Sequence, residues 1–166
     1  MKLTLTSAAA NKRIKALEDE KLSIRNQESD VQFYTSGINE TIEVPYYNFK
    51  ETTEKIDAID KEIAALRHAI NLFNVTTVLP DEGITVDMAL VRIAQLNRKA
   101  EELRKIKDRP EKVRYEGRLG GVPTITYRNY DAEEVRNEYR KVTDEIYRLQ
   151  MAIDTVNLSK QFDVEI

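Results

Sequence analysis

Apolar residues recur along this chain in four stretches, at spacings of three and four. Ile56, Ile59, Ile63, Leu66, Ile70 and Phe73 keep that rhythm in one, and Val135, Tyr139, Val142, Ile146, Leu149, Ile153 and Val156 keep it in another. Such spacing predicts the narrow seam of a coiled-coil helix. A first helix over about 7–29 carries Ala10, Ile14, Leu17 and Ile24, with Lys21 and Glu28 interrupting, and a third over about 85–108 carries Ala89, Ile93, Leu96, Ala100 and Leu103. The second and fourth helices open alike. Asn48 with Glu51 and Asp131 with Glu134 have the spacing of a capping box, in which a short side chain accepts from first-turn amides and the acid reaches back.

The pattern also repeats in register. "DKEIAALRHAINLFNVT" (60–76) is echoed 83 residues later by "TDEIYRLQMAIDTVNLS" (143–159), with Glu62/Glu145, Ile63/Ile146, Leu66/Leu149, Ala69/Ala152, Ile70/Ile153 and Asn74/Asn157 matching. Arg13, Ile14, Leu17 and Arg25 match Arg92, Ile93, Leu96 and Arg104 at an offset of 79. Between the paired helices, "VQFYTSGINETIEVPYY" (31–47) alternates apolar and polar residues around a Ser-Gly turn, and "VRYEGRLGGVPTITYRNY" (113–130) does so around Gly120 and Gly121. The expected fold is therefore mainly α. Duplicated helix/β-hairpin/helix units form an antiparallel four-helix coiled-coil bundle with small β-hairpins at the tips. We expect a single domain over 1–166: repeat unit one over about 7–74, a linker over 75–84 whose Pro80 and Gly83 stop one helix before Thr85 caps the next, repeat unit two over about 85–157, and a C-terminal tail over 158–166.

The stripe is broadest where the first and third helices begin and the second and fourth end, around Ala8, Ala9, Leu72, Phe73, Met88, Leu90, Val91 and Met151. A helix of roughly 24 residues is about 36 Å long, so the hairpins are expected well away from that broad end. Charge adds modest restraint. A net charge of −3 argues against a generic polyanion binder, and 33% charged residues fit extensive solvated helix surface. The chain has no cysteine, so neither a disulfide framework nor a thiolate metal site is available. Its first residues lack the apolar core of a signal peptide, and nowhere do 18 apolar residues run together, so a cytoplasmic protein with no membrane span is expected.

The helix ending "L..AI...N", the Thr-capped "AL.RI..L", the Arg-flanked β segment and the C-terminal "EI..LQ.AI...N" together resemble the septicolysin-like family of small uncharacterised bacterial helical proteins. The resemblance covers most of the chain and implies a helical fold but no established activity. The lysin name implies damage to cell surfaces, whereas the chain has no cysteine and neither an export signal nor a membrane-inserting segment is expected. The helix, β-hairpin, helix layout also resembles prefoldin as an architecture.

Few residues suggest chemistry. His68 has no second His or Cys with which to build a metal site, and reads as a helical surface histidine. Carboxylate pairs such as Glu18/Asp19 and Glu133/Glu134 sit on predicted solvated faces. "GRLGGVP" (117–123) lacks the Lys-Ser/Thr of a phosphate loop and reads as a turn, and no Gly-x-Ser-x-Gly elbow occurs. Neither catalytic, cofactor nor metal residues are assigned, and no enzyme is expected. Two features rise above this background. Between Arg92 and Arg118 ten Lys/Arg stand against five acids, a basic stretch most simply read as a solvated face paired with Glu133 and Glu134. The hairpins collect Phe33, Tyr34, Tyr46, Tyr47, Tyr115, Tyr127 and Tyr130, residues of the type that protein interfaces favour. These are the candidate interface residues. The leading functional expectation is a non-enzymatic homo-oligomeric assembly protein; the alternatives are a prefoldin-like holdase gripping clients at the tips and, behind it, a membrane-active lysin. Nucleic acid is not an expected partner.

Overall fold

The computed structural model describes residues 2–117 and 121–166. Arg118 of the basic stretch and Gly120 of the expected turn lie outside the described residues. The chain is mainly helical. In order it forms β1 (Lys2–Thr6), α1 (Ser7–Val31), α2 (Phe49–Thr76), α3 (Val86–Ile106), β2 (Lys112–Tyr115), β3 (Thr124–Tyr127), α4 (Ala132–Ser159) and β4 (Gln161–Glu165). Its contacts divide into two compact units, Met1–Thr77 with Thr155–Ile166, and Val78–Asp154.

In the first unit α1 and α2 lie antiparallel, tied by Arg13–Glu62 at 2.7 Å, Arg67–Glu18 at 2.6 Å and Lys21–Asp60 at 2.6 Å. The seam residues Ala10, Ile14, Leu17, Ile59, Ile63 and Leu66 are buried between them. Each large aliphatic side chain removed from water contributes about 1.5–3 kcal/mol. Glu28 keeps its interrupting place in the seam, and its side chain is nonetheless buried. A feature absent from the sequence expectation completes this core. The tail expected over 158–166 is in fact the end of α4 followed by β4, which pairs antiparallel with β1. Residues 2–6 and 161–165 both alternate, so Leu3 opposite Val164 and Leu5 opposite Phe162 share one face of the ribbon. Val164 is buried in the core, and the Phe162 ring lies 5.1 Å from that of Phe73. On the other face Thr4 Oγ1 donates to Asp163 at 2.7 Å and Lys2 pairs with Asp163 at 2.8 Å.

The second unit uses the same devices. Arg92 pairs with Glu145 at 2.8 Å, so the repeat reproduces the Arg13–Glu62 bridge, and Lys99 also reaches Glu138 on α4. Ala89 and Leu149 are as fully buried as their counterparts Ala10 and Leu66. Thr6 Oγ1 accepts from the Ala9 amide and Thr85 Oγ1 from the Met88 amide, each at 3.2 Å, so two residues 79 apart cap α1 and α3 alike. The same offsets carry the Thr6–Gln161 pair onto the isolated Thr85–Val78 bridge. Between Val78 and Thr85 the Gly83 amide donates to Leu79 O at 3.1 Å with φ at +65°, where a side chain would be strained.

One expected element does not form. The hairpin expected over 31–47 has no strands: residues 32–48 carry only a turn, in which the Glu40 amide donates to Gly37 O at 3.1 Å. Its counterpart β2–β3 does form, and the base of that ribbon shows why. The Arg128 amide donates to Glu111 O at 2.8 Å, and its guanidinium donates to Arg109 O at 2.8 Å and Tyr130 O at 3.1 Å, clamping both strands. At the offset of 83, Arg128 corresponds to Pro45, which has neither an N–H for the ladder nor a guanidinium. A two-stranded ribbon is marginal alone, and without this clamp the first copy stays open. Beyond β2 a Cβ on Gly117 would lie 2.1 Å from Gly121 O, so position 117 has no room for a side chain.

Candidate interaction surface

The segments joining the helices within each unit carry the candidate residues. In the first unit Phe33, Tyr34 and Tyr46 are exposed, with Phe33 at 86% and Tyr46 at 80%, and Ile38 at the turn is fully exposed. Tyr46 Oη makes only a long hydrogen bond, 3.4 Å, to Glu51. Tyr47 differs. It is half-buried, and its hydroxyl donates to Glu28 Oε1 at 2.7 Å, beside an Arg25–Glu28 pair at 3.0 Å. The Tyr47 hydroxyl, ahead of Arg25, holds the Glu28 carboxyl below the ordinary glutamate range and so keeps the interrupting residue charged inside the seam.

In the second unit Tyr115 and Tyr127 are exposed, with Val122 and Ile125 beside them in sequence. The ribbon register places Tyr127 with Ile125, Lys112 and Arg114 on one face, and Tyr115 with Val113, Thr124 and Thr126 on the other. Tyr130 is half-buried: its hydroxyl donates to Ile106 O at 2.6 Å, and Arg128 lies 5.7 Å from its ring centre. The seven candidates thus divide. Phe33, Tyr34, Tyr46, Tyr115 and Tyr127 present free ring surface, whereas Tyr47 and Tyr130, equivalent in the repeat, each tie a helix start to the end of the preceding helix. Their position directly before the caps Asn48 and Asp131 was the available signal. Pattern reading passed over Ile38, Val44 and Val122, exposed apolar side chains in these same segments.

The basic stretch is largely neutralised, though by partners other than Glu133 and Glu134. Arg92 and Lys99 reach Glu145 and Glu138 on α4, Arg104 and Lys105 pair with Glu101 and Glu102 one turn back, and Lys107 pairs with Asp108. Glu133 is occupied by Arg136 on its own helix. Arg114 has a loose contact with Glu116 at 3.6 Å. His68 is exposed on α2. Among the described residues no group of three or more His, Asp or Glu side chains could hold a metal ion, and no helix is long and apolar enough to cross a membrane. A concavity of about 450 Å³ in the second unit is lined by Ile84, Met88, Val91 and Leu149 and edged by the Arg92–Glu145 pair. Asp87 and Gln95 also line it, and Glu82 at its edge pairs with Arg148 at 2.5 Å.

No family model matches this chain, and no curated protein matches it. Among solved structures it is similar to a functionally unknown conserved protein from Corynebacterium diphtheriae, known from its crystal structure, at 20% identity and a TM-score of 0.64, covering 96% of this chain and 99% of that one. That likeness is one of overall fold, over nearly the whole length of both chains.

Proposed function

We propose that the protein is a non-enzymatic homo-oligomeric assembly protein whose inter-helix segments join copies of the chain. The single observation that carries this reading is the concentration of exposed aromatic and aliphatic side chains on the segments joining the helices: Phe33, Ile38, Tyr46 and Val122 are each at least 80% exposed. Such rings offer large, rigid contact area at small entropic cost. Among the described residues the β2–β3 sheet has two strands, so both of its outer edges are open to pairing. The resemblance to the septicolysin-like family bears on layout and lends this reading no chemistry.

The test replaces Phe33, Tyr46, Tyr115 and Tyr127 with Ser and measures mass by light scattering beside helicity by circular dichroism. Smaller particles with helix content retained support assembly. A wild-type chain already monomeric at micromolar concentration overturns it. The same exposed rings support a second reading, a prefoldin-like holdase. That reading is favoured if the wild-type protein suppresses aggregation of an unfolding client and the Ser variant does not.

A further inference from the structure

At the offset of 83, Thr41-Ile42-Glu43-Val44 aligns with Thr124-Ile125-Thr126-Tyr127, which is strand β3. The first unit thus carries a β-prone sequence with no ladder, exposed along most of its length. The second unit carries the complement. The Arg128 amide bonds Glu111 O, so the alternation of an antiparallel ladder turns the amides and carbonyls of Lys112 and Arg114 away from β3, toward an edge with no neighbouring strand among the described residues. The charges also match: residues 32–48 carry Glu40 and Glu43 and no base, whereas residues 109–128 carry a net charge of +3.

We infer that Thr41–Val44 of one molecule adds as a third, antiparallel strand to β2 of a second molecule, with Glu43 opposite Arg114. In that register Glu43 joins the face of Lys112, Ile125 and Tyr127, where a close carboxylate replaces the loose Glu116 contact of Arg114. Ile42 then meets Tyr115, and Val44 meets Val113, on the opposite face. Pro45 falls opposite Lys112, so its missing N–H costs a ladder bond at the strand's end and not in its middle. The contact joins unlike surfaces, so each molecule both donates a strand and accepts one. This inference rests on the assembly reading and names the pairing within it.

The absence of cysteine makes the pairing directly testable. Differently tagged Glu43→Cys and Arg114→Cys proteins, mixed and oxidised, should give a heterodimeric disulfide, and a mixture of Lys61→Cys with Arg114→Cys should not. Glu43→Lys and Arg114→Glu should each weaken self-association about tenfold, and mixing the two variants should restore it, because the two reversed charges then attract across the same pair of positions. Both positions are exposed, and circular dichroism checks that the variants fold. A wild-type monomer overturns this pairing and the assembly reading together. Wild-type association that neither reversal changes, without the heterodimeric disulfide, overturns the pairing alone and leaves assembly standing. A disulfide formed only within the Glu43→Cys/Arg114→Cys double variant, at monomer mass, overturns the second copy as the occupant.

Discussion

Thr41–Val44 and Thr124–Tyr127 hold equivalent places in the two units and share the dipeptide Thr-Ile, yet only the second lies in a ladder. The helices around them share several devices. Thr6 and Thr85 cap alike, Arg13–Glu62 recurs as Arg92–Glu145, and Ala10 and Leu66 are buried as Ala89 and Leu149 are. The comparison teaches that an alternating pattern specifies a strand only where something closes it. In the second unit Arg128 does so, bonding backbone at both sides of the ribbon, and in the first its place is taken by Pro45. The loop left open exposes Phe33, Tyr34, Ile38, Val44 and Tyr46, as the described residues of the closed one expose Tyr115, Val122, Ile125 and Tyr127.

The largest expected difference between the units lies in the seams. Ile63 is buried at 8% exposure whereas its repeat mate Ile146 is only half-buried. Ile63→Asp should lose several kcal/mol, as an unpaired carboxylate in an apolar core does, and Ile146→Asp clearly less. Urea unfolding followed by circular dichroism measures both, and equal losses would mean the two seams are packed alike. Next come the segments after α2 and α4. Leu79→Ala removes a fully buried side chain and should cost about 2–5 kcal/mol. Phe162→Ala, at the equivalent position, loses a larger ring that is only half-buried and packed at a tilt against Phe73, and should cost a similar amount.

The paired tyrosines separate the units by pH. Tyr130→Phe removes a neutral hydrogen bond to Ile106 O worth about 1 kcal/mol, with no acid-range signature. Tyr47→Phe leaves the buried Glu28 carboxylate short of its closest donor and should be the more costly at neutral pH. The folded-state pKa of Glu28 is depressed, so its contribution is fully present above the unfolded glutamate pKa and is lost as pH falls through the folded value. The gap between Tyr47→Phe and wild type should therefore narrow on acidification, and the Tyr130→Phe gap should not; stability measured from neutral pH down through the carboxylate range checks this. The smallest change in stability is expected from Pro45→Arg, which supplies the missing N–H and guanidinium. It should raise amide protection over 41–44 in the monomer without altering the helices.

Much of this fold was legible because helices are local. Three-and-four spacing gave the seams of α2 and α4, and Asn48, Thr85 and Asp131 marked three helix starts to the residue. The β1–β4 ribbon escaped because its strands are five residues each and pair Lys2 with Glu165 across nearly the whole chain, a contact no window of sequence displays. The first hairpin was misread for the converse reason. Its pattern and Ser-Gly turn match a ribbon, and the decisive residue, Pro45, acts through a clamp visible only in the other unit. Of the candidate surface, sequence found the aromatic cluster but could not separate free rings from tied ones, since Tyr46 and Tyr47 are neighbours and only Tyr47 meets the carboxylate of Glu28.

Amide hydrogen exchange of the wild-type protein over a dilution series compares the two segments directly. The account predicts that Thr124–Tyr127 is protected at every concentration. Thr41–Val44 should exchange at the rate of an open chain when dilute and gain protection as molecules associate. Protection of Thr41–Val44 that is independent of concentration, or its absence in a solution where light scattering shows the protein fully associated, would contradict the claim that this segment is a strand completed by another copy.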